Sequence, residues 1–271
     1  MRHSEFVAVS GKAGTIRGIL GYPESYNCTQ QYPIVIVVVG LNGNRVDLNR
    51  ILIDLSRELQ SSGFFCLRFD FYGMGVSDGF FSESTVTSKT NDLVQVYEYV
   101  KSSVPNTGRL YFLSLSDGMQ VVLSAAAQNK GIRNSHFIFW SPVIVDIENK
   151  AASTTIRSRP HKDAFSNKLC LPFLGLWISL DYLKEKKYID FYKCFFSVAA
   201  DIQPSSIFLY ADNDSKVEDT VQILMKHGFN RFRVISGGGH SFCTYESHWE
   251  VIDQTLTAIQ AYETEKVGSL W

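Results

Sequence analysis

Apolar residues along this chain alternate between short β-like runs and longer stretches of helical period. The opening segment FVAVSGKAGTIRGILGYP holds two strand-like runs joined by a glycine turn, which predicts a hairpin. YPIVIVVVG is a continuous β-branched run, the pattern of a strand buried on both faces of a parallel sheet. DLNRILIDLSRELQSSG then carries apolar residues at helical spacing and ends on a glycine, predicting a helix. The same alternation continues: FFCLRFDFYG as strand, TSKTNDLVQVYEYVKSS as amphipathic helix, GRLYFLSLS as strand, DGMQVVLSAAAQNKG as helix and SHFIFWSP as buried strand. After residue 204, SSIFLYADND, TVQILMKHG, FRVISGGG and HWEVIDQTLTAIQAYE read as strand, helix, strand and closing helix. Regular alternation of this kind predicts an α/β fold with a mostly parallel central sheet flanked by helices.

The rhythm breaks between Val143 and Pro204. DIENKAASTTIRSRPHKDAFSNKLC is polar and irregular, whereas LPFLGLWISLDYLKEKKYIDFYKCFFSVAADI is aromatic-rich with helical stretches. About sixty residues without alternation are too many for a plain loop, so a functional lid is expected over 143–203. The core would then comprise 1–142 and 204–271. No internal repeat or low-complexity segment stands out.

Composition narrows the function classes. A formal net charge of −1, with no long run of one sign, argues against nucleic acid or an anionic membrane as the main partner. The longest apolar run, IVIVVVG, is far too short to span a bilayer, and MRHSEFVAVSGKAG has no apolar core of a secretory signal. Five scattered cysteines without CxxC spacing read as reduced thiols, so no zinc site is expected and a cytoplasmic location is. A homodimer is compatible with such a surface.

Polar residues sit at three places where strands are expected to end. Ser116 lies in LSLSDG, between a strand and an alanine-rich helix, where a tight turn would hold a hydroxyl clear of the backbone. Alone, S-x-S-x-G reads equally well as a turn with surface serines. His240 follows VISGGG directly, and ligands in open α/β sheets gather at the carboxyl ends of strands. Asp212 and Asp214, in IFLYADNDSKV, can both reach a histidine on the neighbouring loop, although Asp-Asn-Asp is also ordinary turn chemistry. The order Ser116, Asp214, His240, each at a strand end, is far less accidental than any single motif. It suits a serine nucleophile, a histidine base and a carboxylate that fixes the imidazole tautomer.

Backbone N–H groups of Asp117 and of Leu41, in VVVGLNGNR, are the expected oxyanion donors. The Asp117 carboxylate would oppose developing negative charge if it faced that hole, and it is expected to point away. Glycines in LRFDFYGMGVSDG serve a compact loop; the third glycine and helix start of a dinucleotide fingerprint are missing.

Together these residues resemble the α/β-hydrolase superfamily over essentially the whole chain. RFDFYGMGVSDG is similar to its R-x-D-x-x-G-x-G-x-S-x-G segment, ADNDSKV to its acid loop with Asp214 as the acid, and GGGH to its histidine loop. The segment from ISLDYLKEKK to ADND resembles the end of the lid that cinnamoyl and feruloyl esterases, and acyl-carrier-protein thioesterases of the luciferase-operon type, insert between sheet strands 6 and 7. Two departures stand out: Ser114 replaces the first elbow glycine, and Gly40-Leu41 stands where His-Gly is usual.

The resemblance implies a serine esterase or thioesterase that works through an acyl-enzyme without metal or organic cofactor. Its substrate would be a small-molecule or carrier-bound acyl group. Acyl transfer to an amine or alcohol is the alternative, and a catalytically silent binding protein is another. Peptidase and haloalkane dehalogenase readings rank lower. Among the lid aromatics, Phe173, Trp177 and Tyr182 are the expected substrate contacts, although most such residues simply pack a lid onto a core; Tyr188, Phe191 and Tyr192 accompany them.

Overall fold

The computed structural model describes residues 3–144, 159–173 and 176–264. Eight strands form one sheet in the order β1 (Ser4–Ser10), β2 (Thr15–Gly21), β4 (Phe65–Asp70), β3 (Tyr32–Val38), β5 (Thr107–Leu115), β6 (His136–Trp140), β10 (Ser206–Ala211) and β11 (Phe232–Ile235). The hairpin pairs β1 with β2, and β2 joins β4 antiparallel; every later pairing is parallel. The reversed order of β3 and β4 follows from a crossover that steps backwards once and then forwards. The rule that such crossovers are right-handed places α1 (Ile51–Ser61) on one face, and α2 (Val86–Ser103) and α3 (Gly118–Gln128) on the other. α1 packs against the closing helix α8 (Tyr245–Thr264), and α2 packs against α3.

The β-branched run in β3 is the centre of the core. Ile34, Val35, Ile36, Val37 and Val38 are all buried, so both faces of this strand are covered, as its lack of alternation requires. Aromatic residues fill the layer beside it: Phe112, Phe137, Phe139 and Phe208 stack across β5, β6 and β10. Burial of one such side chain is worth about 2–3 kcal/mol, which keeps the strand register firm beneath the loops that matter for function.

Between β6 and β10 a second, three-stranded antiparallel sheet is built from β7 (His161–Lys162), β8 (Leu169–Phe173) and β9 (Leu176–Ser179). The helical stretches expected in the aromatic-rich half of this region are α5 (Leu180–Tyr188) and α6 (Phe191–Ile202), which follow β9. A short four-residue helix α4 (Lys130–Arg133) precedes β6, and α7 (Glu218–Lys226) lies between β10 and β11.

The second sheet reaches the main domain through its own apolar cluster. Leu171, Ile178, Tyr182 and Phe191 pack on Leu41 and Val86. By contrast, Phe195, Val198 and Ile202 of α6 join the main core. Of the polar stretch following Val143, residues 145–158 lie outside the described part.

Candidate functional site

Ser116 closes the turn from β5 into α3 with φ at +53°, a left-handed conformation that a serine rarely adopts. Its strain is held by the elements on either side. Ser116 N–H donates to the Trp140 carbonyl at 2.9 Å, and its own carbonyl accepts from Met119 N–H at 3.2 Å. Gly118 makes the tightness possible, because a β-carbon there would stand 2.7 Å from the Val38 carbonyl oxygen. Ser114 needs no such freedom. It lies within β5, paired with Val38 and Phe139, and has ordinary negative φ. Its hydroxyl is buried without a hydrogen-bond partner, so the substitution for glycine costs polar satisfaction rather than geometry.

His240 sits on a single 3-10 turn, Gly239–Ser241, entered through Gly237 and Gly238 at positive φ. That loop is stitched to the one after β10. Asp212 accepts from Gly237 N–H and Asn213 from Gly239 N–H, each at 2.9 Å. Asp214 is thereby left to face the imidazole, its Oδ2 lying 2.7 Å from His240 Nδ1. Of the two aspartates that could reach the histidine, Asp214 is therefore the partner and Asp212 a loop brace. On the other side of the ring, Nε2 is 2.7 Å from Ser116 Oγ. A proton on Nδ1 donating to Asp214 leaves Nε2 as the acceptor of the serine O–H, the tautomer a general base needs. Asp214 is buried and also accepts from Lys216 N–H at 3.1 Å, so its orientation is set from two directions.

The oxyanion side departs from expectation. Asp117 does not point away: its Oδ1 accepts from Leu41 N–H at 2.7 Å, and Tyr182 hydroxyl donates to its Oδ2 at 3.4 Å. Although Asp117 is the first capping residue of α3, a position where aspartate normally caps its own helix, its side chain makes no capping bond. The carboxylate is buried, and a buried carboxylate takes whatever donors surround it; here those include the loop amide and the phenol. The expectation considered only repulsion with a transition state and ignored this resting requirement.

Lys89 of α2, which sequence reasoning missed, completes that half. Only 2% exposed, it donates through Nζ to the carbonyls of Gly40 and Leu41, both at 3.1 Å. The polar spacing of an amphipathic helix disguises such a residue as a solvated one. A cavity of about 10 Å³, room for one water, remains among Gly40, Leu41, Lys89, Asp117, Gln120 and Tyr182.

Asp70 explains the glycine-rich segment. Buried at the end of β4, it pairs with the Arg45 guanidinium and accepts from Arg45 N–H at 2.8 Å and Val76 N–H at 3.0 Å. A β-carbon at Gly75 would stand 2.0 Å from its Oδ2. This loop braces the segment after Leu41 and cradles a carboxylate of its own chain.

Of the expected substrate contacts, Tyr182 meets Asp117, whereas Trp177 faces outward. In β9 the alternation buries Ile178, which turns Trp177 outward; it is 51% exposed and packs edge-on against His161. The side chains of Phe173 and Tyr188 lie outside the described part, Phe191 is buried in the second cluster, and Tyr192 is exposed. Among the described residues no group of three or more histidine, cysteine or acidic side chains could hold a metal, and no helix is long and apolar enough to cross a membrane.

No family model matches the sequence, and no curated protein matches it. Solved structures do. Est1E from Butyrivibrio proteoclasticus, seen with ferulic acid bound, is 19% identical over 97% of this chain and 99% of its own, with a TM-score of 0.72. GrgF from Penicillium sp. sh18, described as an alpha/beta hydrolase, is 18% identical over 96% and 98%, with a TM-score of 0.70. The esterase domain of a Rhodothermus marinus protein is 14% identical over 94% and 97%, with a TM-score of 0.65. Taken with the strand order and the elbow, these likenesses show that the chain has the α/β-hydrolase fold.

Proposed function

We propose that the protein is a serine hydrolase that cleaves a carboxylic ester or acyl thioester through an acyl-enzyme. One observation carries the reading: a strained serine whose hydroxyl meets His240 Nε2 at 2.7 Å while Nδ1 meets a buried aspartate at 2.7 Å. Positive φ occurs at other residues too, Ser141 among them, but at Ser116 it coincides with a hydroxyl aimed at an imidazole that a buried aspartate orients.

In this reading Ser116 Oγ attacks the acyl carbon as His240 Nε2 takes its proton, and Asp214 stabilises the imidazolium that forms. The carbonyl oxygen becomes an oxyanion facing the N–H groups of Asp117 and Leu41. Collapse breaks the bond to the alcohol or thiol, which leaves with the proton from His240. Water, deprotonated by the same imidazole, then attacks the acyl-serine, and the serine recovers its proton as the acid departs. An amine or alcohol in place of water would make the same cycle an acyl transfer. The β7–β9 sheet with α5 acts as the lid, packing through Leu171, Ile178 and Tyr182 against the oxyanion loop. Ester and thioester hydrolysis both need only an acyl group with a displaceable oxygen or sulfur. The solved neighbour named as an esterase domain supports the first of these.

A silent binding protein is the second reading, and the Asp117–Leu41 bond is what favours it, because a carboxylate already sits on one oxyanion donor. Labelling by a fluorophosphonate separates the two. The hydrolase reading predicts labelling of the wild-type protein and its loss, by roughly ten-thousandfold in rate, in Ser116→Ala. An unlabelled wild-type protein, or a Ser116→Ala variant labelled at the same rate, overturns it.

A further inference from the structure

We infer that the Asp117 carboxylate is an internal occupant of the oxyanion site and holds that site closed until an acyl oxygen displaces it. The inference rests on the serine-hydrolase reading and concerns which residue limits its rate.

The geometry is one of competition for a single donor. A backbone N–H makes one straight hydrogen bond, and that of Leu41 is spent on Asp117 Oδ1 at 2.7 Å. The loop is shaped for this occupant. A β-carbon at residue 40 would come 2.8 Å from the same Oδ1, so Gly40 leaves the space that the carboxylate fills. Tyr182 reaches the other oxygen from the lid helix α5, and the carboxylate lines a cavity of about 10 Å³ with Gly40, Leu41 and Lys89.

Lys89 makes the arrangement one of charge as well as space. Its buried ammonium lines the same cavity and fixes the Gly40 and Leu41 carbonyls. A cation so close to the loop would favour an oxyanion, and the Asp117 carboxylate offsets that field at rest. On displacement the carboxylate keeps Lys89 and Tyr182 as neighbours, while Leu41 N–H turns to the substrate oxygen. Asp117 is therefore a positioning and gating residue whose backbone N–H assists the reaction and whose side chain opposes it.

The test compares fluorophosphonate labelling rates of wild-type protein, Asp117→Asn and Asp117→Ala, with Ser116→Ala as the blank. The phosphonyl oxygen must take the place of the acyl oxygen. Removal of the charge in the isosteric Asp117→Asn, and of the whole occupant in Asp117→Ala, is expected to raise the rate about tenfold or more. With a p-nitrophenyl ester, the gain should fall on kcat while KM moves less than about twofold, since the relieved repulsion arises in the transition state. Asp117→Asn keeps the shape, but its neutral amide oxygen is a weaker acceptor that Leu41 N–H gives up more readily, so it remains informative should Asp117→Ala fail to fold around Lys89. A folded Asp117→Asn labelled at the wild-type rate or slower overturns the gate and leaves the hydrolase reading standing. Absence of labelling in all four proteins overturns the hydrolase reading and the gate with it.

Discussion

The two halves of the site are built in different ways. On one side, Ser116, Asp214 and His240 each hang from the carboxyl end of a sheet strand, and loop amides donating to the Asp212 and Asn213 side chains tie the acid loop to the histidine loop. On the other, Leu41, Asp117, Lys89 and Tyr182 come from four separate segments, and every contact among them involves a side chain, reaching the loop at one amide and two carbonyls. The first half is held by the sheet, whose register is costly to shift. The second is a set of buried polar groups whose best partners depend on one another, and there a carboxylate has settled on an amide that catalysis would use.

Gly118 joins the halves, so changing it should produce the largest effect. In Gly118→Ala the new methyl meets the carbonyls of Val38 at 2.7 Å and Val39 at 3.0 Å, which are backbone atoms unable to rotate away. Thermal unfolding should report a loss of about 2–4 kcal/mol, with a slower fluorophosphonate reaction, because the elbow and the strand leading to Leu41 must part. A fully stable and reactive variant would mean the two halves are not coupled through this contact.

Next comes Asp92, one turn along α2 from Lys89. It is buried and accepts from Tyr72 N–H at 2.9 Å, and burial pushes its carboxyl up to about 6. An acid with a raised folded-state pKa holds its proton more tightly when folded. Its favourable contribution is present below about pH 4 and is lost as pH rises through about 6. Asp92→Asn, which still accepts from Tyr72, should gain up to about 3 kcal/mol at pH 7 and nothing at pH 4. Chemical denaturation at the two pH values checks this, and equal gains at both would deny the buried-charge cost on the oxyanion side.

The smallest effect is expected on the sheet-held side. Ser114→Ala removes an unpartnered buried hydroxyl and keeps the β-carbon, so stability should rise by about 1 kcal/mol with no change in labelling rate. A marked fall in labelling would show that the elbow depends on side-chain polarity, contrary to its backbone construction.

Legibility in the sequence follows the same division. The β-branched run of β3, the two-period runs of the hairpin and the helical spacing of α1 and α8 each reflect burial on known faces, so they could be read along the chain. The β8–β9 hairpin was not legible in the same way. LCLPF and LWIS are too short and too uniformly apolar to separate strand from helix by periodicity. The outward direction of Trp177 was hidden for a related reason, since only the burial of Ile178 decides which face of β9 looks outward.

What the sequence by itself determined is the order of the chemistry: a serine after one strand, an acid after another, a histidine after the last, with glycines where the turns demand them. Strand ends are local events, and their residues advertise them. Only the tertiary structure decided where the Asp117 carboxylate goes. Its partners lie 76 positions back at Leu41 and 65 positions on at Tyr182, and Lys89 shares their cavity from a third element. A buried charge takes its orientation from all the donors around it at once, and that sum exists only after the chain has folded.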